Sequence, residues 1–150
     1  MEKVVSFVFK MLGFTIIAMI VLDMALMLTD AFLTNSRVQA QASLMQSEIA
    51  KNNYLSAEAI DMFRGDELDD TGFEHICNLS RVYTSIDFNS DELSSPKNYG
   101  EYQNLKITAQ LDPWIYVYSG RGSELKKKNT RDGGISVVYN YMIPCLRYLK

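Results

Sequence analysis

The residue types most often used in catalysis and metal binding are scarce in this chain. It holds one His, His75, and two Cys among 150 residues. A structural zinc site takes four such ligands, and no Ser or Cys nucleophile motif surrounds His75. The acidic run 66–70 lacks the alternating ligand spacing of a calcium loop, which favours a solvated loop. The sequence therefore predicts no enzyme and no cofactor or metal site, and its net charge of −3 argues against a direct nucleic-acid partner.

Charged residues in the apolar N-terminal region are the stronger signal, and Lys10, Asp23 and Asp30 are the predicted intramembrane assembly residues. An ionised carboxylate at the bilayer centre costs about 2.5–3.5 kcal/mol, so Asp23 needs a partner or water. Asp30 shares a helix face with Asp23, whereas Lys10 lies roughly 20 Å along and about 140° around the helix from it. We expect Asp23 to pair with Lys10, or with an N-terminal amine, of a neighbouring copy. The alternatives are a protonated Asp23 or a different membrane protein as its partner.

The apolar run around Asp23 has the length of a membrane span. Residues 11–29 form a helix of roughly 28 Å, close to the thickness of a hydrocarbon core. The run is longer than the apolar part of a secretion signal and no Ala-x-Ala cleavage pattern follows it, so we expect a retained anchor. Lys3 and Lys10 precede the run, and the first basic residue after it is Arg37. The positive-inside rule then places the N-terminus in the cytoplasm and the rest of the chain outside, after a single pass.

The two cysteines both lie in the part assigned to the outside, where disulfides persist. A bond between Cys77 and Cys145 would close a loop of about 68 residues and stabilise the fold by roughly 4 kcal/mol if unstrained. We expect this disulfide, and two buried thiols are the alternative.

The helix is predicted to continue beyond the membrane as a stalk. Residues 31–51 contain neither Pro nor Gly, and four apolar residues recur there at spacings of four, three and four: Val38, Ala42, Met45 and Ile49. They form a narrow apolar stripe on a polar helix. One rod over residues 11–53 would reach roughly 65 Å. A second short helix is expected over 56–64, with Ser56 as its N-cap and Gly65 as its end.

Alternating apolar and polar residues in the later chain predict four strands, at 82–88, 105–111, 114–118 and 135–141. Turn signals between them indicate a half-buried antiparallel sheet, which the apolar stripe of the long helix would cover. The predicted fold class is therefore α+β, a long transmembrane-plus-stalk helix packed on a small antiparallel sheet. The expected organisation is a cytoplasmic N-terminus (1–10), a transmembrane helix (11–30), an extracytoplasmic helical stalk (31–65) and a sheet domain (66–150).

The last predicted strand continues into the sequence Ile-Ser-Val-Val-Tyr-Asn-Tyr-Met-Ile-Pro, residues 135–144. It resembles the end of TadE-like pseudopilins, where an alternating strand runs into an aromatic pair and a Pro, and the whole architecture is similar to a type IV pilin. The resemblance implies a minor pilin or assembly subunit of a tight-adherence or related type IV filament machine. It also implies a bacterial cell membrane, a surface filament, and a part in adhesion or secretion.

One feature of the pilin pattern is altered in this chain. Gly13 and Phe14 look like the pilin processing site, but Ala18 occupies the position where pilins carry an acidic residue, and the preceding leader is apolar rather than basic. We therefore expect the chain to remain uncleaved at Gly13.

The predicted function is that of a pilin-like, membrane-anchored subunit in the assembly of a type IV filament-related machine. Its expected partners are membrane lipid, copies of itself or other pilin-like subunits through the transmembrane and stalk helix, and membrane proteins of the assembly machine. The alternative is a single-pass accessory subunit of a secretion or conjugation apparatus that never enters a filament.

Overall fold

A computed structural model gives the structure of the chain and describes residues 2–65, 71–111 and 135–148. The long N-terminal helix packs against a small antiparallel sheet, which confirms the predicted α+β class. The elements of the described ranges, in chain order, are α1 (Glu2–Asn52), α2 (Ala57–Arg64), α3 (Gly72–Leu79), β1 (Tyr83–Phe88), α4 (Ser90–Leu93), β2 (Tyr102–Leu111) and β3 (Ile135–Pro144).

Helix α1 is a single element of 51 residues, about 75 Å long at 1.5 Å per residue. It joins the predicted span and stalk without a break, because residues 2–52 contain no Pro and only one Gly. It ends where Asn53 adopts φ +62°, a left-handed conformation that Asn tolerates better than most residues. α1 is long and apolar enough to cross a membrane, which makes it a candidate single-pass anchor.

The second half of α1 forms one side of the core. The predicted stripe is confirmed, since its four side chains have no exposed surface: Val38, Ala42, Met45 and Ile49. They share one apolar cluster with side chains from the other helices and from all three strands, among them Phe63, Phe73, Ile86, Leu93, Leu105, Ile107 and Ile143.

The three described strands lie in the order β1-β2-β3, and both neighbouring pairs are antiparallel. The central strand β2 shows the alternation that the sequence predicted, with four side chains buried toward the core: Gln103, Leu105, Ile107 and Ala109. β2 and β3 pair over their full lengths, from Tyr102 opposite Pro144 to Leu111 opposite Ile135. The strand predicted at 114–118 and the acidic run 66–70 lie outside the described residues.

Two glycines bring α2 and α3 together. Gly65 ends α2, as predicted, with φ +78°, and Gly72 begins α3 with φ +82°. A Cβ on Gly72 would lie 2.5 Å from the Gly65 nitrogen, so this close approach of two backbones requires glycine. The predicted cap of α2 is also present, since Ser56 Oγ accepts a hydrogen bond from Ala59 N at 3.2 Å. α3 was not predicted, although its Phe73 is buried in the core.

Candidate functional site

The first half of α1 is exposed in a way that the second half is not. Large apolar side chains are exposed along the helix from Val4 to Leu33, on every side as far as Leu26, whereas Met27 and Ala31 pack partly against the core. From Thr34 onward, one face of the same helix is buried in the core of the domain. An exposed apolar surface of this size is typical of a membrane or protein contact, so the segment before Thr34 is the primary candidate site.

Asp23 is the charged residue in the middle of this exposed segment. Its side chain is exposed, and within residues 2–65, 71–111 and 135–148 no hydrogen bond or ion pair satisfies its carboxylate. Lys10 is also exposed and lies on the same continuous helix, which keeps the two groups roughly 20 Å apart. The structure therefore does not bring Lys10 and Asp23 together within one chain, and their pairing between chains remains a prediction.

Asp30 has a partner within its own chain. Its Oδ2 accepts hydrogen bonds from Ser80 Oγ at 2.7 Å, Arg81 N at 2.8 Å and Val82 N at 3.2 Å. The carboxylate thus ties α1 to the turn between α3 and β1 within its own chain, and its predicted intramembrane role in assembly stays a prediction. The sequence held a signal for this contact, because Asp30 and Thr34 extend the buried stripe backward from Val38 by steps of four.

A cluster of hydroxyl groups lies next to this anchor. Tyr139 on β3 donates a hydrogen bond to Asn35 Oδ1 at 2.5 Å. Burial raises the pKa of Tyr83 far above its usual value, and the hydrogen bond that Tyr83 donates to Tyr139 and the negative charge of Asp30 add to the effect. The Thr34 hydroxyl is buried nearby on α1 and has no hydrogen-bond partner in the described part of the chain. The start of the domain is therefore held to α1 by polar as well as apolar contacts.

The far end of α1 is fixed by a second polar anchor, Asn53. This residue is fully buried, and its Nδ2 donates to the Arg147 carbonyl at 2.5 Å while its Oδ1 accepts from Arg147 N at 3.2 Å. Gln103 Nε2 donates to the Asn53 carbonyl at 3.0 Å and to the Ser95 carbonyl at 2.7 Å. Asn53 lies 23 residues beyond Asp30, so the two anchors are about 35 Å apart along the helix.

The two cysteines lie at opposite ends of the domain, one near the Asp30 anchor and the other near the Asn53 anchor. The predicted disulfide is not formed. Cys77 lies on α3, three residues before Ser80 at the Asp30 anchor. Cys145 N donates to the Glu101 carbonyl at 2.9 Å, at the Asn53 end. Both side chains are buried as thiols, which was the alternative left open by the sequence. Burial also raises the pKa of the Cys145 thiol, which disfavours the reactive thiolate.

The remaining candidate for chemistry is His75, which is half-buried on α3. In the ranges that the structure describes, no three His, Cys, Asp or Glu side chains are placed so that they could hold a metal ion. His75 is therefore not part of a metal-binding cluster there.

No protein-family model, curated protein or solved structure matches this chain. The structure itself establishes two features that bear on function. One is a candidate single-pass membrane anchor in the first half of α1, and the other is an α+β domain built directly on the second half of the same helix.

Proposed function

We propose that this protein is a membrane-anchored, pilin-like subunit that takes part in assembling a type IV filament-related machine. One observation carries the proposal: a single helix supplies both an exposed apolar segment of bilayer length and one wall of the domain core. A domain joined to its anchor in this way moves with the helix, so contacts between anchors position the domains as well.

The proposed orientation has the N-terminus in the cytoplasm and the domain outside. Lys3 and Lys10 precede the apolar segment, and no basic residue follows it until Arg37. Basic residues are retained on the cytoplasmic side of a membrane span, which supports this direction.

The proposed assembly contact is between the anchors of parallel neighbours. Asp23 is exposed within the apolar segment, where an ionised carboxylate favours contact with a cation over contact with lipid. Lys10 of a second copy reaches the level of Asp23 if the two copies are displaced by about 20 Å along the helix axis. The same displacement would set successive domains at successive heights above the membrane, as a filament requires.

The alternative is a single-pass accessory subunit of a secretion or conjugation apparatus. One observation favours it: Ala18 occupies the position where the pilin pattern has an acidic residue. A subunit without that residue can remain in the membrane and act through one fixed partner.

The two proposals differ in where the protein is found. Cells are sheared, and an antibody against the domain is used to image the released material and to probe the detergent-extracted membranes. Filaments that carry the antibody support the pilin-like proposal. Protein confined to membrane complexes of fixed stoichiometry supports the accessory subunit, and protein that is extracted from the membrane by carbonate without detergent contradicts both.

A further inference from the structure

The turn between α3 and β1 is held at a defined height on α1. Asp30 Oδ2 accepts from the backbone nitrogens of Arg81 and Val82, at 2.8 and 3.2 Å, and from Ser80 Oγ at 2.7 Å. Residues 78–81 comprise the last two residues of α3 and the two that follow it, and are here called the basal turn. They therefore lie beside α1 at the level of residue 30. The apolar run ends one residue earlier, at Thr29.

The surface of α1 remains apolar at this height. Phe32 and Leu33 are 72% and 51% exposed, and the first charged residue after Asp30 is Arg37. If residues 11–29 cross the hydrocarbon core, the level of Asp30 to Leu33 coincides with the headgroup region, which is several ångströms deep on each side. The basal turn then lies at the membrane surface rather than in bulk water.

The side chains that the basal turn presents fit this location. Leu79 is 52% exposed at the end of α3, although it belongs to a helix whose other apolar side chains are buried in the core. Arg81 is exposed, and no side-chain hydrogen bond or ion pair to it occurs among the described residues. The Asp30 carboxylate, which lies beside Arg81, already accepts three hydrogen bonds from other groups. At a membrane surface, an exposed apolar side chain inserts among the acyl chains, and a neighbouring guanidinium binds the phosphates of the headgroups. Leu79 and Arg81 form such a pair.

We infer that the basal turn is a lipid-binding surface, with Leu79 inserted at the acyl–headgroup boundary and Arg81 bound to a lipid phosphate of the bilayer that holds α1. The inference rests on the membrane-anchor part of the proposed function. The occupant is the bilayer because the turn is continuous with the exposed apolar surface of α1, at the same height. Contact at Asp30 and at the basal turn fixes how the domain stands on the membrane before any neighbour binds.

The test measures the depth of spin labels in the full-length protein, reconstituted in vesicles of phosphatidylcholine with or without phosphatidylglycerol. Single cysteines for labelling replace Asn78 in the basal turn, Ser94 at the opposite end of the domain and Ile16 in the apolar segment. Cys77 and Cys145 remain because both are buried, and the unsubstituted protein gives their background labelling. We expect a headgroup depth at position 78, water at position 94 and the bilayer interior at position 16.

Two substitutions then test the side chains that bind lipid. Arg81→Gln is expected to lower the ratio of membrane-bound to free basal turn about fivefold in vesicles with phosphatidylglycerol, because one basic residue at an anionic surface is lost. The effect should shrink at high salt. Leu79→Ser is expected to lower the ratio in both kinds of vesicle. Lys97→Gln and Leu146→Ser, which change exposed residues at the opposite end of the domain, are matched controls that should leave it unchanged.

The possible results separate this inference from the proposed function. Water at position 78 together with the bilayer interior at position 16 would overturn the lipid-binding surface and leave the anchor standing. Shielding at position 78 that depends on protein density would also overturn it, because the turn would then contact a second copy. Water at position 16 would overturn the anchor, and the inference with it.

Discussion

Asp30 and Asn53 each attach a distant segment of the chain to α1, at opposite ends of the domain. Asp30 lies on α1 and Asn53 directly follows its last residue, and each satisfies backbone groups of a segment far away in sequence. Asp30 accepts from the nitrogens of Arg81 and Val82, just before β1, and Asn53 exchanges two hydrogen bonds with Arg147. Backbone groups at such junctions have no helix or sheet partner, so a side chain that supplies one prevents a costly unsatisfied group.

Removing the Asp30 carboxylate should loosen the basal turn. We expect Asp30→Ala to lower the free energy of unfolding by about 3 kcal/mol, and Asp30→Asn by roughly half of that, because hydrogen bonds to a charged acceptor are the stronger kind. Hydrogen exchange should accelerate at the amides of Arg81 and Val82 before it does so elsewhere. Asp61→Ala, at an exposed site on α2, is the control. Unchanged exchange at both amides would contradict the anchor.

Tyr83 gives the domain a pH dependence with a defined sign. Its pKa in the folded protein is raised above the ordinary value of 10.0, chiefly by burial. The folded protein therefore binds this proton more tightly than the unfolded chain, so the contribution is constant below pH 10 and is lost as pH rises above 10. Above pH 10, we expect the ionisation of Tyr83 to lower the free energy of unfolding by at most about 1.4 kcal/mol per pH unit.

Denaturant unfolding between pH 8 and 11 measures this dependence. Tyr83→Phe should cost about 1 kcal/mol at neutral pH, because the hydrogen bond to Tyr139 is lost, and should flatten the alkaline slope. Tyr102→Phe changes a tyrosine that is 59% exposed and should leave the slope as it is. A slope that persists in Tyr83→Phe would assign the alkaline loss to other groups.

Among the elements, those that repeat a pattern were predictable from the sequence. The spacing of Val38, Ala42, Met45 and Ile49 predicted the buried face of α1, and the alternation in β2 predicted its inward side. α2 was predicted from Ser56 and Gly65 at its ends, whereas α3, of the same length, was missed because Ser80 rather than a glycine or proline follows it. The hydroxyl cluster around Tyr139 was missed because it joins α1 to a residue 104 positions away in the chain. Single long-range polar contacts leave no period in a sequence.

Beyond the membrane segment, introducing a carboxylate should destabilise the domain on the buried face of α1 but not on its exposed face. Val38→Asp or Ile49→Asp places a carboxylate in the core, and we expect either to lower the free energy of unfolding by more than about 4 kcal/mol or to cause aggregation. Leu44→Asp makes a similar change on the same helix at a site that is 60% exposed, and should have little effect on folding. Thermal unfolding in detergent measures all three. Equal melting of Val38→Asp and Leu44→Asp would contradict the packing of the stripe.

At the scale of the whole molecule, the two anchors make α1 and the domain one body. They lie about 35 Å apart, and the stripe fills the distance between them, so the domain is held along the entire second half of the helix. The sequence predicted this division of α1 through its hydropathy and its stripe. It could not give a partner for Asp23, because this carboxylate is exposed and has no partner in the described part of its own chain. The sequence of one chain does not fix how two molecules are placed relative to each other.

The pairing of Asp23 with Lys10 of a neighbour is the prediction that tests assembly most directly. Asp23→Lys and Lys10→Asp should each block assembly, because two like charges would then meet in a medium where an unpaired charge costs about 2.5–3.5 kcal/mol. Membrane insertion should persist in both, since the apolar run is otherwise intact. The double exchange restores opposite charges at the same two positions and should recover part of the assembly.

Membrane fractionation and the yield of sheared filaments measure the two steps separately, and Asp61→Lys on the exposed surface of α2 controls for the change in net charge. The informative variant is Asp23→Asn, which removes the charge but keeps the size of the side chain. Normal assembly of Asp23→Asn would rule out the ion pair, because a neutral amide cannot replace it. Loss of assembly in Asp23→Asn without recovery in the double exchange would leave Asp23 essential but assign its partner to a different membrane protein.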